Sequence, residues 1–293
     1  ARLTLEQKEA QSQQIMEDLE KLGISLSGIT TQLEVEGVKS FADSFTDLLE
    51  TIEQRKRSIV DDIGSLADGL KNQITALQKS QVVKRMFECD PSLWTTDPAG
   101  QVEIRQRLGW LNAPQKSQQL VADLIGFTAE CVASGYTHAL LLGMGGSSLA
   151  PEVLRETFGI DQNSNGLDLA VLDSTDPMQV KAASLRAPVE KTLFIVSSKS
   201  GTTSEINAFL DYFWHLAQQT CGDQAGEHFI AITDPGTKLE EIAKTKKFRR
   251  VFHGDPEVGG RYSALTAFGL VPAALMGIDI VQLLMQGQKF AQA

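Results

Sequence analysis

Residues 138–149 read HALLLGMGGSSL: an apolar run, a turn of glycines and small hydroxyl residues, then the start of a helical pattern. A buried parallel strand that hands a ligand-binding turn to the N-terminus of a helix has this form. Working outward, the same succession recurs with strand-like LDLAVLD (167–173), TLFIVSS (192–198) and HFIAITD (228–234). Helical periodicity follows the four strands over Leu149–Phe158, Met178–Leu185, Glu205–Gln219 and Leu239–Lys244. Strands alternating with helices predict an α/β fold, a parallel sheet with helices on both faces. Helices are also expected over Lys116–Ala133 and, fully buried, over Tyr262–Met276. Between residues 81 and 135, Pro91, Pro98 and Pro114 punctuate the chain, with Trp94 and Trp110 as bulky anchors.

Before residue 80 the pattern is helical only. Gly23 closes a first amphipathic run (Ile15, Leu19, Leu22), and Val38, Phe41, Phe45, Leu48 and Ile52 then step by three or four. Ile59, Ile63, Leu66, Leu70, Ile74 and Leu77 repeat that spacing, and the charged EQRKRSIVDD stretch separates the two runs. This predicts an α-helical arm ahead of the sheet, with Arg55-Lys56-Arg57 as a solvated hinge.

Composition narrows the function. The 293 residues are 42% hydrophobic and 22% charged, enough apolar content for about two packed domains rather than a disordered chain. A net charge of -10 argues against a binder of phosphate backbones, so no nucleic-acid partner is expected. No apolar run reaches the length of a bilayer span, and ARLTLEQKEAQ does not read as a signal peptide. Cys89, Cys131 and Cys221 lack any C-x-x-C spacing, which predicts neither disulfide nor zinc site and fits a reducing cytoplasm.

Ligands of open α/β sheets sit at the carboxyl ends of the strands, so the turns there carry the chemistry. The first, Gly143 to Ser148, lets backbone approach a ligand at a helix N-terminus and partly matches a dinucleotide fingerprint. That match needs Gly or Ala at position 148, which is Ser, and Asp173 lies further along than the usual ribose acid. The third turn reads SSKSGTTSE over 197–205. A capping box of Thr202 and Glu205 accounts for those two residues, yet capping does not call for Ser198, Ser200 and Thr203 as well. Several hydroxyl donors beside a cation at a helix N-terminus suit a phosphate monoester, while the Walker pattern fails for want of a Gly before Lys199-Ser200. The fourth turn, Asp234-Pro235-Gly236-Thr237, reads as a cap through Thr237 and Glu240 and nothing more. In EVGGRYS (257–263) the paired glycines leave Arg261 room to reach a ligand, and its permanent charge suits an oxyanion. His138, His215, His228 and His253 show no metal spacing, and only His253 lies near Arg261. Asp173, Glu205 and Glu257 border these turns without forming a catalytic pair, so no general base announces itself.

GMGGSSLAP, SSKSGTT and EVGGRYSALTAFGL, in that order, resemble the N-terminal sugar-isomerase domain of the glucose-6-phosphate isomerase family, over about Gln81 to Ala293. The resemblance implies reversible isomerisation of glucose 6-phosphate and fructose 6-phosphate without metal or redox cofactor. It implies phosphate contacts from Ser198, Ser200, Thr203 and the backbone of Lys199, with Ile206 standing where a further Thr is common. Gly146 and Ser147 would lie along the sugar beside Gly260, and Arg261 would stabilise a cis-enediolate. In that family the Glu base, the ring-opening His and a catalytic Lys follow the Arg261 segment. No Glu or His follows Arg261 here, so those roles are not carried over and the chain alone is expected to be inactive.

Leu19 to Arg55 resembles the C-terminal helices of transaldolase, which implies a fragment of a transaldolase/isomerase fusion, with residues 1–58 as the transaldolase-like part and 59–293 as the isomerase part. A homodimer is the further expectation from resemblance. Two other classes stay open: a non-catalytic sugar-phosphate sensor, and a dinucleotide enzyme using the Gly143 turn.

Overall fold

The computed structural model describes residues 9–159 and 166–292. The chain divides into two compact units between Lys84 and Arg85. The first is helical. In it α1 (Glu9–Lys21) stops at Gly23, whose φ of +80° turns the chain, and Ser25 then accepts the Gly28 N–H at 3.1 Å to cap α2 (Leu26–Lys79). The second helix runs 54 residues without a break. The expected hinge at Arg55-Lys56-Arg57 is therefore absent: Glu, Gln, Arg and Lys are strong helix formers, and no Pro or Gly interrupts EQRKRSIVDD. The junction expected between residues 58 and 59 falls inside α2. Phe41, Phe45, Leu48 and Ile52 are exposed along it; the side chains of Ile59 and Ile63 lie outside the described ones.

Across the boundary runs α3 (Val82–Phe87), followed by α4 (Pro98–Arg105), α5 (Ala113–Lys116) and α6 (Val121–Ala133). Then come β1 (His138–Gly143), α7 (Leu149–Phe158), β2 (Asp168–Leu172), α8 (Pro177–Leu185) and β3 (Thr192–Ser197). The chain continues through α9 (Ser204–Cys221), β4 (Phe229–Thr233), α10 (Lys238–Thr245), β5 (Arg250–His253), α11 (Ala267–Leu275) and α12 (Ile280–Gln292). The sheet has five strands in the order β2-β1-β3-β4-β5, and every pairing is parallel. The first four strands fall where the apolar runs place them. The fifth has no such signal, because RVFH is short, polar at both ends and carries a single buried side chain, Phe252.

Strand period two divides the core. Ala139, Leu141, Leu193, Ile195, Ile230 and Ile232 face one layer, where they meet Leu124, Phe127 and Cys131 of α6 and the residues of α11. On the other face Phe194 and Phe229 pack against Phe213 and Trp214 of α9. All nine residues of α11 are buried, Pro272 included. The buried helix expected over Tyr262–Met276 is thus shorter: Gly260–Leu265 forms a 3₁₀ turn, and Tyr262 stays exposed, stacked on Trp110 at 5.4 Å. The three cysteines are free thiols, and burial pushes Cys131 up to about 11. Among the described residues no helix is long and apolar enough to cross a membrane.

Phe213 is 1% exposed and packs 5.2 Å from Phe194, so Phe213→Ala is expected to cost about 3–5 kcal/mol in urea unfolding. Hydrogen exchange is expected to be on the order of tenfold faster for amides of residues 26–58 than for β1 and β3, because a solvated helix opens locally more readily than a two-sided parallel sheet. Equal protection would contradict that ordering.

Candidate functional site

The strand order creates one topological switch point. From β1 the chain passes outward to β2, then crosses to the other side of β1 to form β3. Gly143 pairs with Ser197 at the end of this β1–β3 ladder, so the glycine turn and the hydroxyl turn leave from adjacent strand ends. Ser197 Oγ donates to the Ser147 carbonyl at 3.2 Å and ties the two turns together. Beyond them α7 lies with α11 on one face of the sheet, and α9 lies on the other. Ligand crevices of open α/β sheets form where successive connections diverge in this way.

The N-termini of α8, α10 and α11 are closed by side chains, whereas α5 and α6 continue directly from the 3₁₀ turns Gly109–Asn112 and Ser117–Leu120 without a side-chain cap. Asp176 accepts the N–H groups of Met178 and Gln179 at α8, Thr237 accepts that of Glu240 at α10, and Thr266 that of Phe268 at α11. At the switch point neither Ser148, before α7, nor Thr203, before α9, makes a side-chain cap bond. The capping box expected from Thr202 and Glu205 is therefore absent. The turn enters the helix one residue later, after Gly201 at φ +67°, and an added Cβ at Gly201 would stand 2.7 Å from the Leu239 nitrogen. The cap expected through Thr237 and Glu240 does form: Thr237 Oγ1 accepts the Glu240 N–H at 3.4 Å, and Glu240 Oε2 reaches back to accept the N–H of Gly236, the residue before the cap, at 2.6 Å. Contacts to Lys244 first, and to Gly236, hold the Glu240 carboxyl down at about 2.

Around the uncapped α9 terminus, Ser198 is buried, accepts the Gly201 N–H at 3.1 Å and lies 3.4 Å from the Thr203 hydroxyl. Ser200 is exposed and hydrogen-bonded to Thr202 at 2.9 Å. Ser198, Ser200 and Thr203 thus line one turn, whereas Ile206 is buried in the core and contributes no polar group. The Lys199 side chain turns away from the hydroxyls, with Nζ 2.5 Å from Asp234 Oδ2.

The glycine turn also meets the Arg261 segment directly. A Cβ added to Gly146 would lie 2.5 Å from the carbonyl carbon and oxygen of Gly260, so only glycine permits this approach. Ser263, buried beneath, donates to the Gly260 carbonyl at 2.7 Å. A pocket of ≈ 280 Å³ opens beside the contact, lined by Gly146, Gly260, Arg261 and Ser263 on its polar side and by Leu149 and Val153 of α7. Arg261 is exposed and has no hydrogen-bond or ion-pair partner among the described residues. Glu257, by contrast, is held by Lys116 at 2.9 Å, a hydrogen bond that raises the lysine's pKa. His253 lies on β5, not in a loop, and faces Glu240 at 3.4 Å. Asp173 is exposed past the end of β2. Ser263, Asp234 and Lys116 join this region without standing out in the sequence pattern; only the serine had a signal, its place in GGRYS.

The family model for phosphoglucose isomerase matches residues 119–292, which contain both turns and the Arg261 segment. The chain belongs to the phosphoglucose isomerase family. A glucose-6-phosphate isomerase of Thermosynechococcus vestitus is 34% identical over 207 residues, covering 68% of this chain and 38% of the relative. Another from Synechococcus sp. strain JA-3-3Ab is 39% identical over 152 residues, 51% of this chain and 28% of the relative. The chain thus spans well under half the length of these phosphoglucose isomerase relatives. A crystal structure of a hypothetical protein from Thermus thermophilus superposes with a TM-score of 0.59 at 27% identity, over 74% of this chain and 49% of that one. A glucose-6-phosphate isomerase structure from Chlamydia trachomatis shares the fold, with a TM-score of 0.51 over 68% of this chain and 36% of that one, at 24% identity.

Gly146→Ala is expected to lower stability by about 1–3 kcal/mol through overpacking against Gly260, read by thermal or urea unfolding, while Gly145→Ala, with open space around it, is expected to show only the strain of its φ of +54°. The depressed Glu240 carboxyl contributes stability above its unfolded pKa that is lost as pH falls toward about 2; NMR titration of Glu240 is expected to show ionisation in that low range.

Proposed function

We propose that these residues form the phosphate-holding and enediolate-stabilising part of a site that interconverts glucose 6-phosphate and fructose 6-phosphate. One observation carries the reading: neither helix N-terminus at the switch point has a side-chain cap, and hydroxyl donors surround the α9 terminus. Free N–H groups and a helix dipole suit a dianionic phosphate, which Ser198, Ser200, Thr203 and the Lys199 backbone would hold. Gly146, Ser147 and Gly260 would then border the sugar. In the isomerisation a base removes the C2 proton of the aldose, and the C2–H electron pair becomes the C1–C2 double bond of an enediolate as the C1 carbonyl pair moves onto O1. The ketose forms when O2 gives up its proton to O1, the C2 carbonyl closes and the first proton returns at C1. The developing oxyanion needs a cation that no carboxylate already neutralises, and Arg261 has no carboxylate partner among the described residues. The base lies outside these 293 residues on this reading, since neither Glu nor His follows Arg261, and turnover by this chain alone is not expected. No metal or redox cofactor enters the proposed chemistry.

The resemblance of Leu19–Arg55 to transaldolase helices supports a wider proposal, that the chain is part of a bifunctional cytoplasmic transaldolase/isomerase, and the isomerase resemblance adds that it acts as a homodimer. The long helical unit with its solvent-facing apolar residues is compatible with such a second activity upstream.

A thermal-shift titration tests the site. Fructose 6-phosphate is expected to raise the melting temperature, inorganic phosphate to do so more weakly and NAD not at all. Ser200→Ala removes one exposed donor and is expected to reduce the sugar-phosphate affinity about tenfold with the unliganded melting temperature unchanged. Stabilisation by NAD alone would replace this reading with a dinucleotide site.

A further inference from the structure

Lys199 lies between two hydroxyl residues of the proposed cradle, yet its ammonium faces elsewhere. Nζ is 2.5 Å from Asp234 Oδ2, 3.2 Å from the Asp255 carbonyl and 3.5 Å from the Pro256 carbonyl. The backbone repeats the link, since the Asp234 N–H donates to the Lys199 carbonyl at 3.2 Å. Three segments meet here: the turn after β3, the residue after β4 and the loop after β5. The last of these leads within a few residues to Gly260 and Arg261. Asp234 is itself confined. A Cβ on Gly254 would come 2.6 Å from its Oδ1 and 2.5 Å from the Phe268 ring, and Oδ1 is buried without a hydrogen-bond partner.

We propose that the Lys199 side chain is a positioning residue: through Asp234 it fixes the loop that carries Gly260 and Arg261 relative to the hydroxyl turn at 198–203. A single ammonium bonded to the Asp234 carboxylate and to the two adjacent carbonyls of Asp255 and Pro256 holds those two segments and its own turn at one point. Its charge is neutralised by Asp234, so its contribution to a phosphate is geometric rather than Coulombic. The clamp rests on the contacts alone; its consequence for sugar binding rests on the sugar-phosphate reading given above.

Hydrogen exchange on the whole chain separates the two. Lys199→Met and Asp234→Asn are each expected to speed exchange of amides 254–262 about tenfold while β1 and β3 keep wild-type protection, with Lys199→Arg restoring most of it. Calorimetric titration is expected to show fructose 6-phosphate affinity falling about tenfold in either variant, inorganic phosphate affinity changing less than about twofold, and the double variant no worse than a single one. Unchanged exchange at 254–262, or faster exchange throughout the sheet, overturns the clamp. Equal loss of both ligands also overturns it, making Lys199 a direct phosphate ligand. If the wild type binds neither ligand while 254–262 still responds to both variants, the clamp stands and the sugar-phosphate reading falls.

Discussion

The parallel ladder between β1 and β3 is the constraint on which the rest of the molecule depends. Six consecutive pairs, from His138–Thr192 to Gly143–Ser197, set the strand ends level. All six β3 residues are buried, so a slip of one residue would exchange the inward-facing sets of both layers, moving Ile195 and Phe194 into each other's environments. With the register fixed, two turns of different chemistry emerge side by side, and the divergence of α7 and α9 to opposite faces leaves the space between them open. Every feature of the candidate site is an addition to that geometry: the missing caps, the glycine approach at Gly146, the serine bridge from Ser197.

Local chemistry made much of this legible in the sequence. Strands β1, β3 and β4 are short apolar runs bounded by turn residues, and their ends need glycines or hydroxyls whose demands are visible without coordinates. Gly146 and Gly260 are of this kind, although only the fold reveals that each is there for the other. The helical arm was legible in its periodicity but not in its continuity. A charged stretch is weak evidence for a break, because Glu, Gln, Lys and Arg support a helix as well as they solvate a loop.

What escaped depends on contacts between distant segments. β5 has one buried residue and no alternation, so nothing local marks RVFH as a strand; pairing of Arg250 to His253 with Ile230 to Thr233 makes it one. The Thr202–Glu205 spacing fits a capping box, yet Gly201 must clear the backbone at Leu239, and that packing moves the helix start. Asp234 reads as part of an ordinary cap and becomes significant only when the fold brings Lys199 and the 255–256 carbonyls to it. Such positions carry no compositional signature, because Asp and Lys are common in any turn.

The contact between the first glycine turn and the Arg261 segment also has a consequence for how the protein is made. Gly146 and Ser263 meet across 117 residues of sequence. At ribosomal rates of about 5–20 residues per second, the glycine turn waits roughly 6 to 23 seconds after it is synthesised before its partner exists. For the first part of that interval β1 has no β3 to pair with, and throughout it β1 cannot rest on α11, whose nine residues supply much of the core on that face. The nascent chain therefore holds an apolar sheet face open for seconds, and passing chaperones would encounter that face uncovered until α11 is made.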